Sequence, residues 1–473
     1  MFKASLLILT KLAPVLAFTT VIWSNPNTAW ADEAQKTDDL RSTPPWVHFN
    51  DPVLTSLVER GIANNPGIKA AKARIDMARA GARLALAPLL PSLNAEGMFG
   101  LNSYDTSLSG ISMPSIPGMS NSKDDVNHST TLSASLRASY MLDITGRHYI
   151  ARQAALKEAA AAEEDTGNSI AMLTTQIMQT YYDVISAKLR IVMIEEQIKN
   201  NDKLLSLIMA KFKQGIATSL DVLQQRQQLN AKRAQLPLAK TFANISKQQL
   251  ATLTGCDKVS DLPTITSSLP QTDPTLSEIT PKELERTRPD LRAAQRRVQA
   301  AEDRASSTQR ALFPSLVING SVGYKMMHIT ETSHGDVWSA GALLSVPLFM
   351  GGANRAALDQ ARAAKRSAAL SYENNLQLAS AQVKNTLETS RRQSEYLEAL
   401  IRQHKDAEQT VAESTRRYLG GLSTYINVLA ANNSLQMNEL SLIQARRDLL
   451  SARINLLNAI GGTWTLKFVN AKR

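Results

Sequence analysis

The sequence predicts an α+β membrane protein in which one structural unit, a long α-helical coiled-coil hairpin with a pair of β-strands, occurs twice. Three observations lead to this fold class. The chain repeats its own pattern at fixed offsets, residues 147–213 and 353–419 contain no proline and favour helix, and four runs alternate apolar with polar residues. Because four strands cannot close a barrel, several chains must contribute strands to one barrel.

The two halves of the chain align with each other. The stretch "NNPGIKAAKARIDMARAGARLALAPLLPSLNAEG" matches "TRPDLRAAQRRVQAAEDRASSTQRALFPSLVING" without a gap at an offset of 223, and from Gly146 onward the offset is 206. The loop 102–127, rich in Ser, Gly and Pro, absorbs the difference. We therefore expect a first repeat over 32–263, a second over 264–465, and a C-terminal tail over 466–473.

Each half contains a helix, two strands, a long helix and a return helix. The predicted ranges are 68–89, 92–101, 131–142, 147–213 and 219–254 in the first half, and 291–312, 315–326, 337–349, 353–419 and 424–460 in the second. The strands follow from period-two alternation. Ile170, Ile177, Val184, Ile191 and Ile198 repeat at intervals of seven, which indicates a coiled-coil seam. At ~1.5 Å per residue each long helix reaches ~95 Å.

The first 31 residues predict a secretory signal peptide. They carry Lys3 and Lys11 but no acidic residue, have an apolar middle, and end in the small-x-small sequence 29–31. The mature chain would begin at Asp32, and because the cleavage region has no Cys we expect no lipid anchor. A single transmembrane anchor is the alternative, although Lys11 interrupts its apolar run.

Composition and motifs argue against several functional classes. Cys256 is the only cysteine, and the six histidines show no ligand spacing, so we expect neither a disulfide nor a metal site. No nucleophile elbow or phosphate-binding loop occurs, so we expect no enzyme activity and no cofactor. Basic and acidic residues are interspersed within the net charge of +11, and aromatic residues make up only 5%, which argues against nucleic acid as a partner.

The strands have the length and patterning of membrane-spanning strands. A run of about ten residues with one apolar face can cross a bilayer when tilted, and an open sheet edge is not tolerated there. Three chains would supply twelve strands. The polar faces, which carry Glu96, Arg137 and Lys325, would then line a water-filled lumen. A soluble sandwich with a coiled-coil arm is the alternative.

Four stretches resemble one protein family over essentially all of residues 46–465. They are "WVHFNDPVLTSLVERGIANNPGIKAAKARI", "RTRPDLRAAQRRVQAAEDRASSTQRALFPSL", "SYMLDITGR" and "SVPLFMGGANRAALDQA". The chain resembles the TolC-type outer-membrane factors, in particular the NodT/OprM-like branch that serves resistance-nodulation-division (RND) efflux pumps. The resemblance implies a homotrimer with a 12-stranded β-barrel in the outer membrane of a Gram-negative bacterium. It also implies an α-helical tunnel of ~100 Å through the periplasm.

The resemblance further implies a function and partners. The function is the exit duct of a tripartite RND pump, which passively conducts drugs or other small molecules to the exterior. The partners are a periplasmic adaptor, an inner-membrane RND pump and outer-membrane lipid. The alternatives are the exit duct of a type I secretion or metal-efflux system, and a periplasmic coiled-coil scaffold that conducts nothing.

Two related stretches, "FKQGIATSLDVL" (212–223) and "YLGGLSTYINVL" (418–429), interrupt the long helices with the pattern aromatic-x-x-Gly-x-x-Thr. The glycine lets the backbone leave the helix, and Thr218 and Ser423 or Thr424 suit the N-cap of the return helix. The resemblance implies that adaptor hairpins dock at these turns, at the periplasmic end of the tunnel. The candidate tip residues are Phe212, Gly215, Ile216, Ala217, Thr218, Tyr418, Gly421, Leu422, Ser423 and Thr424.

The resemblance also implies a narrow aperture just above the tip, with acidic rings. In "VAESTRRYLGG", Glu413 is the only nearby carboxylate, and Arg416 and Arg417 follow it. A ring of Glu413 and a more basic aperture are both open, and a solvated coiled-coil face is a third interpretation. Opening would be an uncoiling of the long-helix hairpins that the docked adaptor favours.

Overall fold

The computed structural model describes residues 43–105, 126–265, 268–270, 280–328 and 332–470. The predicted signal peptide and Asp32 lie outside the described residues. The helices and strands are α1 (Pro52–Asn64), α2 (Pro66–Leu84), β1 (Ser92–Asp105), β2 (Val126–Leu142), α3 (Arg147–Lys213), α4 (Ser219–Thr254), α5 (Pro281–Thr287), α6 (Pro289–Arg310), β3 (Ser315–His328), β4 (Thr332–Ser345), α7 (Ala353–Leu419), α8 (Tyr425–Ile460) and α9 (Thr465–Asn470).

The four strands form one antiparallel sheet in the order β1-β2-β3-β4. In the central rows of the sheet, the register separates polar from apolar side chains. Asn94, Arg137, Ser321 and Ser339 are paired in one row, and the adjacent row consists of Ala95, Leu136, Val322 and Trp338. Because neighbouring residues of a strand point to opposite faces, the central part of the sheet has one polar and one apolar face. The apolar face is uncovered in the single chain, where the Trp338 side chain is 79% exposed.

The strand boundaries differ from the predicted ones. β1 and β2 continue past the alternating runs because backbone groups form the ladder, which can extend where side-chain patterning stops. The prediction of a strand as far as residue 349 is wrong, since β4 ends at Ser345, whose partner is Ser315 at the start of β3. Pro347 follows two residues later and has no N–H to donate to a ladder.

Gly323 provides a test of the β2–β3 register. A Cβ atom at this position would overlap the Ala134 carbonyl oxygen and lie 2.6 Å from Ser135 Cβ, whereas at Gly320 the nearest atom would be 3.8 Å away. We expect Gly323→Ala to cost ~1–3 kcal/mol through overpacking and to reduce the amount of assembled protein in the outer membrane. Quantitative immunoblots of outer-membrane fractions measure this. Gly320→Ala is the matched control, and equal loss in both variants would contradict the register.

The long helix α3 lies at the centre of the helical part and packs against α2, α4, α6 and α8, while α7 packs against α6 and α8. No described helix is both long and apolar enough to cross a membrane. Ion pairs connect α3 to the short helices. One of them joins Arg292 Nη2 of α6 to Glu164 Oε2 of α3 at 2.9 Å.

The predicted coiled-coil seam holds for Ile170 and Val184, which are fully buried. It then shifts to Ile194, because 3.6 residues per turn drift against a strict seven-residue repeat.

Aromatic residues pack the first and last described segments against each other. Trp46 and Trp464 meet edge to face with ring centroids 5.2 Å apart, and Phe468 packs 5.8 Å from Trp46. Residues 466–470 therefore belong to the helix α9, and the prediction of a tail from residue 466 is wrong for this part. Burial of these large rings stabilises the short helix, which could not form alone in water.

Candidate functional site

The first interruption of the helical hairpins is a tight turn closed by backbone hydrogen bonds. Gly215 has a φ of 74°, a left-handed conformation that glycine adopts without steric cost. Its N–H donates to the Phe212 carbonyl at 3.0 Å, and the Ile216 N–H donates to the Lys211 carbonyl at 2.9 Å. Thr218 then starts α4 with a capping box: its Oγ1 accepts from the Asp221 N–H at 3.2 Å, and its own N–H donates to Asp221 Oδ2 at 2.9 Å.

The second interruption has the same backbone but weaker capping. Gly421 also has a φ of 74°, and its N–H donates to the Tyr418 carbonyl at 3.2 Å. Thr424 occupies the N-cap position of α8 without a side-chain capping bond. Ser423 instead accepts from Asn427 Nδ2 at 2.9 Å. The two turns therefore share one fold, and the second is less firmly held at the start of its return helix.

Both turns of one chain lie side by side and form a single tip. Ala217 and Val222 from the first turn pack with Ile208 of α3, and with Tyr425 and Val428 from the start of α8. Ala217 is only 8% exposed, so it belongs to the core beneath the tip and not to its outer surface. This corrects its expected role as a contact residue.

The outer surface of the tip consists of the remaining candidates. Leu422 and Ile216 are 82% and 67% exposed, and Phe212 is also exposed. Gly215, Thr218, Gly421 and Thr424 are exposed as well, whereas Tyr418 and Ser423 are half-buried. Apolar side chains that stand free at the end of a long helical hairpin are suited to contact another protein.

A buried polar network lies behind the tip and was not predicted from the sequence. Tyr425 Oη donates to Gln225 Oε1. Gln225 Nε2 in turn donates to the Asn201 carbonyl at 2.8 Å and to Asn201 Oδ1 at 3.1 Å. Further along, Gln197 Nε2 donates to the Gln436 carbonyl at 3.0 Å. We call Gln197, Asn201, Gln225, Tyr425 and Gln436 the amide network. It connects α3 and α4 to α8, and so joins the two repeats.

The network depends on Tyr425 being a neutral donor. Its side chain is almost completely buried, and burial raises the pKa of the phenol well above its ordinary value, with the nearby Tyr418 and Asp221 acting in the same direction. The ring also packs against Tyr418, with centroids 5.7 Å apart. Lys211 Nζ lies 4.5 Å from the centroid of the Tyr418 ring. The start of α8 is thus held to the end of α3 by both rings.

The aperture candidates form one compact group on α7. Glu413 Oε2 accepts from Arg416 Nη1 at 2.6 Å, and Oε1 accepts from Arg417 Nε at 2.9 Å. These arginines, Arg417 by its hydrogen bond and Arg416 by its charge, lower the pKa of the Glu413 carboxyl. With one carboxylate between two guanidinium groups, the group has a net positive charge. Between a ring of Glu413 and a more basic aperture, this arrangement favours the more basic aperture.

The three lumen candidates lie on the same polar face of the sheet. Glu96 pairs across the strand with Ser135, Arg137 with Asn94, and Lys325 with Ser133, which places all three side chains on that face. Glu96 Oε2 and Arg137 Nη2 lie 3.5 Å apart and form an ion pair. Within the described part of the chain, Lys325 has no such partner.

Comparison with known proteins connects these surfaces to a family. The model of the family described as "Outer membrane efflux protein" matches residues 57–256 and 280–462. The chain belongs to this family. The two matched segments fall within the two repeats, and both contain a tip turn. The family resemblance inferred from the sequence is confirmed.

Individual members of the outer membrane efflux protein family match over most of their length. The pyoverdine export outer membrane protein OpmQ of Pseudomonas putida is 30% identical over 93% of this chain and 91% of its own. The nodulation protein T of Rhizobium leguminosarum bv. trifolii is 28% identical over 88% of this chain and 87% of its own. Among solved structures, the outer-membrane channel OprN is 26% identical, with a TM-score of 0.76 over 89% of this chain and 92% of its own.

These matches confirm the predicted fold class, long helical hairpins for a tunnel with four strands for a barrel, and the location in the outer membrane with a large periplasmic part. The chain is an outer-membrane channel protein of the efflux class. The division into repeats and the roles of the tip, aperture and lumen residues stay predictions. The same holds for the absence of lipidation.

Proposed function

We propose that this outer membrane efflux protein is the exit duct of a tripartite RND pump, and that it passively conducts drugs or other small molecules delivered by an adaptor and an inner-membrane pump. The observation that carries the proposal is the paired tip. Two turns with the same φ at their glycines and with exposed apolar side chains lie at the far ends of 67-residue helices, opposite the sheet. A duct that receives cargo from the periplasm needs a docking surface at this position.

The unpaired edges of the sheet support assembly of several chains into one barrel. β1 and β4 each pair with one neighbour only within the chain. In a bilayer such edges have to be paired, and three copies would close them into twelve strands with the apolar face toward lipid. The polar face would then line the lumen, and six tip turns would surround the periplasmic end.

The adaptor would contact the exposed rim of the tip. We assign this role to Leu422, Ile216 and Phe212, which project from the turns, while the glycines shape the backbone behind them. The capping box of the first turn fixes its geometry, whereas the second turn lacks the equivalent bond. The two turns would therefore meet different sites on the adaptor.

Opening of the duct would rearrange the packing behind the tip. The amide network holds α8 to α3 and α4, and a buried polar network is stable only while each member keeps its partners. An adaptor that binds the tip more tightly in a rearranged state would shift the equilibrium toward that state. Glu413, Arg416 and Arg417 would line the aperture that widens.

A secreted metabolite is the second candidate for the cargo. One observation favours it: the relative that is 30% identical to this chain is named for export of pyoverdine. Drug susceptibility and release of an endogenous metabolite would therefore both be measured when the gene is deleted. Either phenotype supports the duct, and their comparison identifies the cargo class.

Membrane fractionation followed by an unheated gel tests the proposed duct. We expect the protein in the outer-membrane fraction, with a species of three chains that converts to the single chain on heating. A monomer in the soluble periplasmic fraction would instead support the non-conducting coiled-coil scaffold and would contradict the proposal.

A further inference from the structure

We infer that the duct favours anionic cargo, and that Lys325 sets this preference in the strand region. The inference rests on the proposed function, because it requires a water-filled lumen. It comes from the balance of charge at three levels along the conduit: the polar face of the sheet, the junction between strands and helices, and the tip.

The polar face of the sheet has a net positive charge. Where the strand side chains are described, the charged residues on this face are Glu96, Arg137 and Lys325. Glu96 and Arg137 form an ion pair at 3.5 Å and neutralise each other. Lys325 is exposed between Ser133 on β2 and Gly335 on β4, neither of which is charged. Three chains would place three such ammonium groups in one lumen.

The junction below the strands is also basic. A cavity of about 290 Å³ lies between the ends of the strands and the start of α3, and its lining includes two arginines, Arg147 and Arg310, and one carboxylate, Asp143. Met141 in the same lining follows Ser139 by two residues on β2 and therefore lies on the same face of the sheet as Ser139. The acidic residue in the lining, Asp143, accepts from the Tyr149 N–H at 2.8 Å.

The tip also has a net positive charge. The last ten residues of each long helix, the turns and the first ten residues of each return helix contain five basic and two acidic residues. The basic residues are Lys211, Lys213, Arg226, Arg416 and Arg417. Both acidic groups are already engaged, Asp221 by the Thr218 N–H and Glu413 by two guanidinium groups. The entrance would thus attract anions as the lumen does.

Charges of one sign along a narrow, protein-walled passage act together. Low-dielectric walls focus the field, and the local concentration of oppositely charged solutes rises by ~10-fold or more. A solute with carboxylate, phosphate or sulfate groups would enter and cross such a duct more readily than a cation of the same size. The chemical class assigned to the cargo is therefore small organic anions.

The reversal potential of the purified trimer in a planar bilayer under a potassium chloride gradient tests this inference. We expect chloride to permeate more readily than potassium. Lys325→Glu should shift the reversal potential toward potassium, Lys325→Gln should shift it less, and Glu96→Gln should shift it further toward chloride because Arg137 loses its partner. An unheated gel of each variant establishes that the trimer is present.

The outcomes distinguish the two proposals. Conducting trimers that prefer potassium would overturn the anion preference, and a reversal potential that is unchanged in all the variants would overturn the role of Lys325. Either result leaves the proposed duct intact. Trimers that never conduct, with or without added adaptor, would overturn the proposed function and this inference with it.

Discussion

Replacing Gly421 with proline is expected to abolish export while the trimer still assembles in the outer membrane. Gly421 has a φ of 74° and donates its N–H to the Tyr418 carbonyl. Proline requires a φ near −65° and has no N–H to donate, so the turn cannot keep its shape. The sheet and the aromatic core around Trp46 lie far from this turn. Export is measured as drug susceptibility or metabolite release in a strain that lacks the chromosomal gene.

The neighbouring glycine supplies the control for this variant. Gly420 has a φ of −80°, and a Cβ atom there would lie 3.5 Å from the Arg416 carbonyl oxygen, an ordinary contact distance. We expect Gly420→Ala to export normally. If Gly421→Pro also exports normally, the tip is not the docking surface. If Gly421→Pro removes the trimer, the turn is needed for folding and its assignment to docking fails.

Tyr425→Phe is expected to make the periplasmic end of the duct open more often. The substitution keeps the ring but removes the donor for Gln225 Oε1, and Gln225 is completely buried. Leaving a buried acceptor unsatisfied costs ~1–3 kcal/mol. This cost destabilises the closed form, in which the tip is packed. A loss of ~1.4 kcal/mol corresponds to a ~10-fold change in the equilibrium between closed and open forms. Single-channel recording of the purified trimer measures the open fraction.

Tyr418→Phe is the matched control for this measurement. Its ring packs against Tyr425, but within the described part of the chain its buried hydroxyl has no hydrogen-bond partner. Removing that hydroxyl breaks no bond, so we expect an open fraction close to that of the unmodified protein. Equal behaviour of the two variants would show that the amide network does not hold the tip closed.

The elements of the fold that depend on local patterning could be predicted from the sequence. The alternation of Leu93, Ala95 and Phe99 with polar residues fixed one face of β1, and Gly215 and Gly421 marked the turns where the long helices end. The predicted fourth strand extends too far because the prediction follows the apolar run through Val346 and not the proline after it. Such errors arise where a single backbone restriction competes with a longer side-chain pattern.

The amide network could not be predicted in the same way. Gln225 and Tyr425 are 200 residues apart, and their contact exists only because α4 and α8 meet behind the tip. Buried amides also give no hydrophobic signal, since Gln197 and Asn201 read as ordinary solvated residues. By contrast, the engagement of Glu413 by Arg416 and Arg417 lies within one helical turn and was accessible from the i+3 and i+4 spacing.

Photo-crosslinking from the tip tests most directly whether this chain receives cargo from an adaptor. A photoreactive amino acid at position 422 replaces the most exposed side chain of the second turn, and one at position 338 replaces Trp338 on the apolar face of the sheet as a control. We expect irradiation of intact cells to join the 422 variant to a periplasmic adaptor, identified by mass spectrometry, while the 338 variant gives no such product. Docking of an adaptor at the tip would be contradicted if position 422 yields no adaptor adduct in cells that export normally, or if both positions yield the same adduct.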